Sequence, residues 1–349
     1  MRSVILTSLA LVLAACTAIG SGAPSSSPSA TPTPPPLPVV NVDDMMGMYP
    51  QQTVFVTTAD HVSAVTLLNH FIRYRIATRG VAEVKADLGA RWLYVLDGGE
   101  QGARRLRIFD LSSGTEHSAL EGITDVSAGG HVLGAGADGS VLVLKSDATH
   151  AWIDSYQPDA LQSPGTIMHG PPCSDRLLTS AGRIAMVCST TGEVGLGTLH
   201  GSSATIGPSM PDIVGAAMAG DGTLYLVTAD EHVATVPPGS STLVPVAWPS
   251  EWTGSVVADG LAVVQSGTQI VIAQTNADGA WLRVTNISDI PQRLSLQLAD
   301  IPNGGVVAMW PFAYYTVSST IRHVDLASGL LETMAEVGPE AAAGAVVNG

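Results

Sequence analysis

Residues 106–114 read LRIFDLSSG, and a closely similar stretch, IRHVDLASG, returns at residues 321–329. Each segment alternates apolar and polar residues and then turns at an aspartate, as a β-strand entering a tight turn does. The two aspartates, Asp110 and Asp325, are 215 residues apart, which is five times 43. The repeat therefore has a period in the low forties.

A second pair of segments gives the same period. VTTADHVSAV at 56–65 is similar to VTADEHVATV at 227–236. Asp60 and Asp230 are 170 residues apart, four times 42.5. Two unrelated motifs with one period of this length indicate a β-propeller, in which each repeat forms one four-stranded blade.

The rest of the chain supports an all-β fold of seven blades. Short runs of Val, Leu, Ile and Thr are broken every eight to twelve residues by turn-forming pairs such as Asp-Gly. A pair of β-sandwiches and an eight-bladed ring are the alternatives. The central hairpin turns that we predict, one for each blade, lie at Asp60, Asp97-Gly98, Asp138-Gly139, Thr191-Gly192, Asp230, Gly267 and Ser319.

The first blade is one strand short at its start, because little before Gln51 is suited to an innermost strand. The segment Ala343 to Asn348 is apolar and suited to supply it. The ring would then close by pairing its two ends, which removes exposed sheet edges.

The amino terminus indicates export and lipidation. Arg2 is followed by an apolar run, Val4 to Ala15, too short to span a bilayer. The run ends in Leu-Ala-Ala-Cys, which resembles the bacterial lipobox, with cleavage before Cys16 and lipid on its thiol. An ordinary secretory signal that contains a cysteine is the alternative. We expect a lipid-anchored, extracytoplasmic protein of the cell membrane or outer membrane.

The next segment predicts a tether. Residues 21–38 hold seven prolines in eighteen residues and little apolar surface, so they are expected to stay disordered. The predicted organisation is a signal peptide at 1–15, the lipidated cysteine and disordered tether at 16–44, and the propeller domain at 45–349.

The net charge limits the classes of binding partner, and the cysteine content predicts a disulfide. The net charge of −15, with only two lysines, argues against nucleic acid and against a basic membrane-binding face. Membrane attachment is therefore expected through lipid, and the domain is expected to be a monomer. Cys173 and Cys188 are predicted to form a disulfide in an oxidising compartment.

Individual blades resemble known propeller repeats. GDGTLYLVTADEHVATV at 220–236 is similar to NHL and gluconolactonase-like blades. WLYVLDGG at 92–99, followed by LRIFDLSSGT at 106–115, resembles the YVTN repeats of extracytoplasmic seven-bladed propellers. The resemblance implies the fold at blade level. Lactonase-type propellers also hold a divalent metal with acidic residues in the channel, for which the candidates are Glu83, Asp125, Asp212 and Asp300.

Most other polar residues are interpreted as structural. The five Asp-Gly pairs are taken as tight turns, in which glycine supplies the positive φ. His61 and His232 are equivalent in their repeats and are interpreted as blade residues. Four aromatic residues are the candidates for an exposed binding surface, with capping of the core as the alternative: Trp248, Trp252, Trp310 and Phe312.

The functional prediction rests on the anchor, the tether and the lack of catalytic motifs. The chain has no nucleophile elbow, zinc-protease motif or phosphate-binding loop. We therefore expect a non-enzymatic module, without a cofactor, that binds a protein or peptide or assembles the cell envelope. A metal-dependent hydrolase or lyase of the lactonase-like type, holding a divalent metal, is the alternative, and a structural surface coat is a third.

Overall fold

The computed structural model describes residues 53–347 except 68, 88, 100–101, 130, 181, 200–204, 265–268 and 287–292. The described residues form β-strands and no helix. Since they include no helix, they provide none that is long and apolar enough to cross a membrane. All of them belong to one compact unit, Val42–Gly349. The predicted signal peptide, the predicted lipidation site Cys16 and the predicted tether lie outside the described residues.

Seven four-stranded antiparallel sheets form the blades, lettered A to G in chain order, and within each blade the strands are given from the inside outwards. Blade A contains β28 (Ala342–Val347), β1 (Thr53–Thr57), β2 (His61–Thr66) and β3 (Ile72–Ala77); blade B contains β4 (Glu83–Ala86), β5 (Trp92–Gly98), β6 (Arg104–Asp110) and β7 (Glu116–Ile123); blade C contains β8 (Leu133–Ala135), β9 (Val141–Ser146), β10 (Ala151–Gln157) and β11 (Ala160–Gly170); blade D contains β12 (Arg176–Ser180), β13 (Arg183–Val187), β14 (Glu193–Thr198) and β15 (Thr205–Ser209); blade E contains β16 (Ile213–Met218), β17 (Leu224–Thr228), β18 (Val233–Val236) and β19 (Val244–Pro245); blade F contains β20 (Ser255–Val263), β21 (Gln269–Asn276), β22 (Gly279–Asn286) and β23 (Arg293–Leu298); blade G contains β24 (Val307–Met309), β25 (Phe312–Val317), β26 (Thr320–Asp325) and β27 (Leu331–Glu336).

The ring closes as predicted. Strand β28, from the end of the chain, is the innermost strand of blade A and pairs antiparallel with β1. Each inner strand contacts the inner strands of both neighbouring blades, so the seven surround a central channel. The seven-bladed β-propeller predicted from the repeats is thereby confirmed.

Burial follows from this arrangement. Each sheet packs between two neighbours, so the middle strands are buried on both faces and do not alternate in polarity. Strand β1 is fully buried and β5 nearly so, whereas the outer strand β7 is mostly exposed. The hydrophobic core consists of apolar clusters between adjacent blades, one of which spans blades B, C and D.

Antiparallel order gives the ring two different faces. Hairpins between the second and third strands lie on one face, together with the connections from each blade to the next. We call this the upper face. Hairpins between the first and second strands, and between the third and fourth, lie on the lower face.

Of the seven predicted central turns, one was wrong, one was displaced, and one lies outside the described residues. Asp138-Gly139 joins β8 to β9 and so belongs to a hairpin of the lower face. Asp97-Gly98 ends β5, next to the central turn of blade B, and Gly267 is not among the described residues. The central turns of blades C and F lie instead at 147–150 and 277–278. Asp-Gly marks a tight turn but carries no information about which strands it joins.

Two of the five Asp-Gly pairs are not turns. Asp97 lies within β5, fully buried, and forms an ion pair with Arg105 at 2.6 Å. Asp259 lies within β20. In both cases the aspartate forms an ion pair with an arginine on another strand. The local sequence does not identify this partner.

Candidate functional site

Charged side chains gather at the upper mouth of the central channel. Glu83 begins β4, and Lys85 lies two residues further on, on the same side of the strand. His131 precedes β8, Arg176 begins β12, and Asp259 lies in β20. Four blades, B, C, D and F, therefore contribute to this group, which we call the channel-mouth cluster.

A bulge in β20 brings Asp259 to the channel axis. Val256 pairs with Gln274 and Leu261 with Ile272, so β20 advances five residues while β21 advances two. The three extra residues push the strand out of the ladder, as bulges do beside binding sites and barrel rims. Asp259 has φ of 57°, a left-handed conformation that aspartate tolerates better than most residues.

Asp259 is held there by two basic side chains. One carboxylate oxygen accepts a hydrogen bond from the Arg176 guanidinium and lies 3.1 Å from His131 Nε2. Burial would raise the pKa of Asp259, but the contacts with His131 and Arg176 outweigh it and lower the pKa to about 2. Asp259 is therefore an anion at every physiological pH.

Glu83 satisfies backbone amides of the next blade. Its two carboxylate oxygens accept hydrogen bonds from the amides of Val132 and Leu133, each at 2.9 Å. Thr179 accepts the amide of Ala135 in the same way, at 3.1 Å. Strand β8 is short and faces the channel, so these amides need side-chain partners. Burial raises the pKa of Glu83, and the nearby His131 only partly opposes this.

Lys85 has a different environment. Among the described residues, no carboxylate lies within ion-pair distance of its ammonium group. Burial lowers the pKa of Lys85, and the charge of Glu83 works in the opposite direction.

The channel-mouth cluster is balanced in charge. Two carboxylates, Glu83 and Asp259, face two cations, Lys85 and Arg176, and His131 adds a titratable ring. Blades C and F are three apart in a ring of seven, so the His131–Asp259 contact links nearly opposite sides of the channel. The cluster therefore acts first as a brace between blades, and both of its carboxylates are already engaged.

A cleft opens on the upper face between blades D and E, with a volume of about 830 Å³. Its floor is apolar, formed by Met210 and Ile213, and its walls are the central hairpins of the two blades. Val214 also lines it, and the Val214 carbonyl oxygen accepts a hydrogen bond from Arg176. The cleft thus reaches the channel-mouth cluster. Its size is in the range typical of ligand sites. A second cleft of similar volume lies between blades B and C.

The predicted disulfide braces one wall of the D/E cleft. Cys173, in the connection between blades C and D, is bonded to Cys188 at the end of β13. Cys188 begins the central hairpin of blade D, whose Gly192 carbonyl oxygen accepts a hydrogen bond from the Met210 amide. The disulfide therefore fixes the hairpin that holds the floor residue of the cleft.

The four candidate aromatic residues lie on opposite faces. Trp248 and Trp252 lie on the upper face between blades E and F, with ring centroids 5.2 Å apart. Trp252 is buried and has the Arg283 guanidinium over its ring, whereas Trp248 is half-buried. Trp310 and Phe312 lie at the lower face of blade G, and Trp310 is half exposed. None of the four lines the D/E cleft.

The acidic residues proposed for a lactonase-like metal site all lie at the upper face but do not form a ligand set. Among the described residues, one group of three potential metal ligands comes together, His70, His323 and Glu332, and it lies elsewhere. Each repeat-equivalent histidine contacts the aspartate of its own hairpin: His61 Nδ1 lies 2.6 Å from Asp60, and His232 lies 3.0 Å from Asp230. His61 Nε2 also lies 3.0 Å from the Val337 carbonyl oxygen, next to blade G.

Four residues of the channel-mouth cluster were not predicted as site residues: Lys85, His131, Arg176 and Asp259. Neither His131 nor Arg176 belongs to a motif. Asp259 was interpreted as a turn residue. The one local signal for the bulge is an Asp-Gly pair in the middle of an apolar run, SVVADGLAV at 255–263.

No protein-family model matches the chain, and no curated protein sequence matches it either. Solved structures with the same fold include a chain of hydrazine synthase from Kuenenia stuttgartiensis, with a TM-score of 0.61 and 12% identity over 82% of this chain and 93% of that one. Apo AztD from Citrobacter koseri gives 0.54 and 12% over 83% and 82%. Sqt1 from Saccharomyces cerevisiae gives 0.54 and 9% over 85% and 86%. At such low identity these similarities establish the β-propeller fold alone.

Proposed function

We propose that the protein is a lipid-anchored, extracytoplasmic β-propeller that binds a protein or peptide at its upper face. The observation that carries the proposal is the D/E cleft. It combines an apolar floor, polar walls and a wall fixed by a disulfide, so little ordering entropy is lost when a ligand binds.

The chemistry of the cleft suits an extended peptide. Met210 and Ile213 provide an apolar floor for one or two side chains of the ligand. Asp212, Asp230 and His232 provide polar groups at the rim. Because the rim carries two carboxylates, we expect the bound segment to carry basic residues beside its apolar anchor.

A binding role is preferred to the lactonase-like alternative because of Glu83. Both of its carboxylate oxygens already accept backbone amides. Coordination of a metal by Glu83 would leave those two amides without partners, which is costly for buried groups.

Site-specific photo-crosslinking tests the binding surface. A photoreactive residue at Thr190, in the wall of the cleft, is expected to give a discrete adduct in intact cells. The matched control is Ser328, which is also exposed but lies on the lower face. The same adducts from both positions, or none from Thr190, would refute binding at the upper face.

The anchor has its own test. The sequence Leu-Ala-Ala-Cys and the proline-rich segment that follows support lipidation at Cys16. In a bacterial host, the native protein is expected to partition into the detergent phase and Cys16→Ser into the aqueous phase. Cys173→Ser, which also replaces a cysteine by serine, should still partition with detergent. Aqueous partition of the native protein would contradict the anchor.

A further inference from the structure

His70, His323 and Glu332 come together between blades G and A, towards the lower face. A ligand atom from each lies within 4.8 Å of those of the other two. The two imidazole rings meet edge to face with centroids 5.0 Å apart, and His323 Nε2 lies 3.4 Å from Glu332 Oε2. Two histidines and a glutamate form a ligand set that zinc uses in proteins.

The fold places each of them. His323 lies on β26 directly opposite Glu332 on β27, so both side chains project from the same face of blade G. His70 comes from the turn between β2 and β3 of blade A, where it has φ of 58°. The group therefore joins the last blade to the first, beside the place where the ring closes.

His323 is a costly residue at its position unless it has a role beyond packing. It is 7% exposed, and it corresponds to the fully buried Ile108 of the sister repeat. Burial lowers the pKa of His323, and the neighbouring His70 lowers it further.

The corresponding junction between blades B and C shows that the fold does not require these residues. There, Ile108 lies opposite Ser118, and the Ser118 hydroxyl donates a hydrogen bond to the Pro158 carbonyl oxygen at 2.8 Å. A junction of the same geometry is thus closed with an apolar residue and one hydroxyl. The histidines and the glutamate are special to the junction of blades G and A.

We propose that His70, His323 and Glu332 bind a divalent transition metal of the zinc class. Zinc–nitrogen and zinc–oxygen bonds are about 2.0–2.2 Å long, so small side-chain rotations would bring the three ligand atoms into place. Three protein ligands leave a fourth position open to water or to a group from solution. Glu332 is about half exposed, which gives the metal a path of access.

Metal titration of the full-length chain in detergent, carrying no polyhistidine tag, tests the site. After chelator treatment, Zn²⁺ is expected to bind with one equivalent per chain and to raise the thermal midpoint. Co²⁺ is expected to bind at the same place, to develop visible absorption, and to be displaced by Zn²⁺. Failure to bind either ion stoichiometrically would overturn the proposal.

Two variants locate the bound ion without disturbing the core. His70→Asn retains a residue that tolerates positive φ, and Glu332→Gln keeps the shape of a partly exposed side chain. Each is expected to weaken Zn²⁺ binding by at least about 100-fold, since loss of an outer-sphere partner alone costs 10–100-fold.

The matched control is His117→Asn. His117 lies at the junction of blades B and C and forms a 2.7 Å contact with Asp159, so it is also a histidine beside a carboxylate. Its replacement should leave Zn²⁺ affinity unchanged. Native affinity in both His70→Asn and Glu332→Gln would place the ion elsewhere and refute this site. Neither substituted residue lies on the upper face, so photo-crosslinking from Thr190 should persist in both variants. The metal site can therefore be refuted independently of the proposed binding role.

Discussion

Asp259 of blade F forms an ion pair with Arg176 of blade D, although the whole of blade E lies between their strands along the chain. The pair exists because three extra residues in β20 carry Asp259 towards the channel axis. His131 of blade C, which forms a β-bridge with Arg176, contacts the same carboxylate oxygen. A single carboxylate thus ties together three blades that share no sheet.

The ion pair should contribute measurably to stability. Arg176→Met leaves a mostly buried carboxylate with His131 as its remaining partner, and we expect a loss of about 2 kcal/mol in the free energy of unfolding. The double variant Arg176→Met/Asp259→Asn should lose less than the sum of the single variants, by about 1 kcal/mol or more. Urea unfolding followed by tryptophan fluorescence measures this cycle. Strict additivity would mean that the two side chains do not interact.

Lowering the pH should remove the stability that the Asp259 carboxylate gives to the fold. The pKa of Asp259 is about 2 in the folded protein and about 3.9 in an unfolded chain. The lowered pKa stabilises the fold fully above about pH 5, and this stabilisation is lost as pH falls from about 4 to 2. The difference in unfolding free energy between the native protein and Asp259→Asn should therefore shrink over that range. A constant difference between pH 6 and pH 2 would contradict the assigned pKa.

The disulfide should stabilise the upper face locally. Replacing both Cys173 and Cys188 by alanine is expected to cost up to about 3 kcal/mol, the chain-entropy value for a loop of this length. Amide exchange should accelerate in the central hairpin of blade D, residues 188–192. The central hairpin of blade E, residues 229–232, serves as the internal control. Equal protection of both hairpins in the variant would show that the cleft wall does not depend on the bond.

Ring closure should be essential for a cooperative fold. Removing residues 342–349 deletes β28 and leaves the inner edge of β1 unpaired. We expect this variant to lose its cooperative urea transition and to aggregate on size-exclusion chromatography. Removal of residues 348–349 alone is the control and should have little effect. Restoration of a cooperative transition by a synthetic 342–349 peptide would identify strand pairing as the cause, and a fully stable truncated chain would argue against it.

Much of the fold was predictable because blades reuse the same turn chemistry. Asp110 accepts the amides of Ser112 and Ser113, and Asp325 accepts those of Ala327 and Ser328. The local sequence therefore predicts the turn. Its two copies, five blades apart, give the period of the repeat. The closing strand was predictable because the first repeat lacked one.

The channel-mouth cluster was not predictable from local patterns. Arg176 and Asp259 are 83 residues apart, and the two residues share no sequence motif. Asp97 shows the same limit: its sequence context is that of a turn, and only its arginine partners reveal a buried ion pair. Contacts of this kind form only when the blades are arranged around the axis. The local sequence around either residue does not identify its partner.

Closure by the last strand has a consequence for synthesis. Translation proceeds at about 5–20 residues per second, so β1 emerges about 15–60 s before the segment that will pair with its inner edge. During that interval the apolar strand TVFVT at 53–57 has one open side. A ribosome that stops before residue 342 releases a chain that cannot complete its ring. Ring closure therefore requires that translation has passed residue 347.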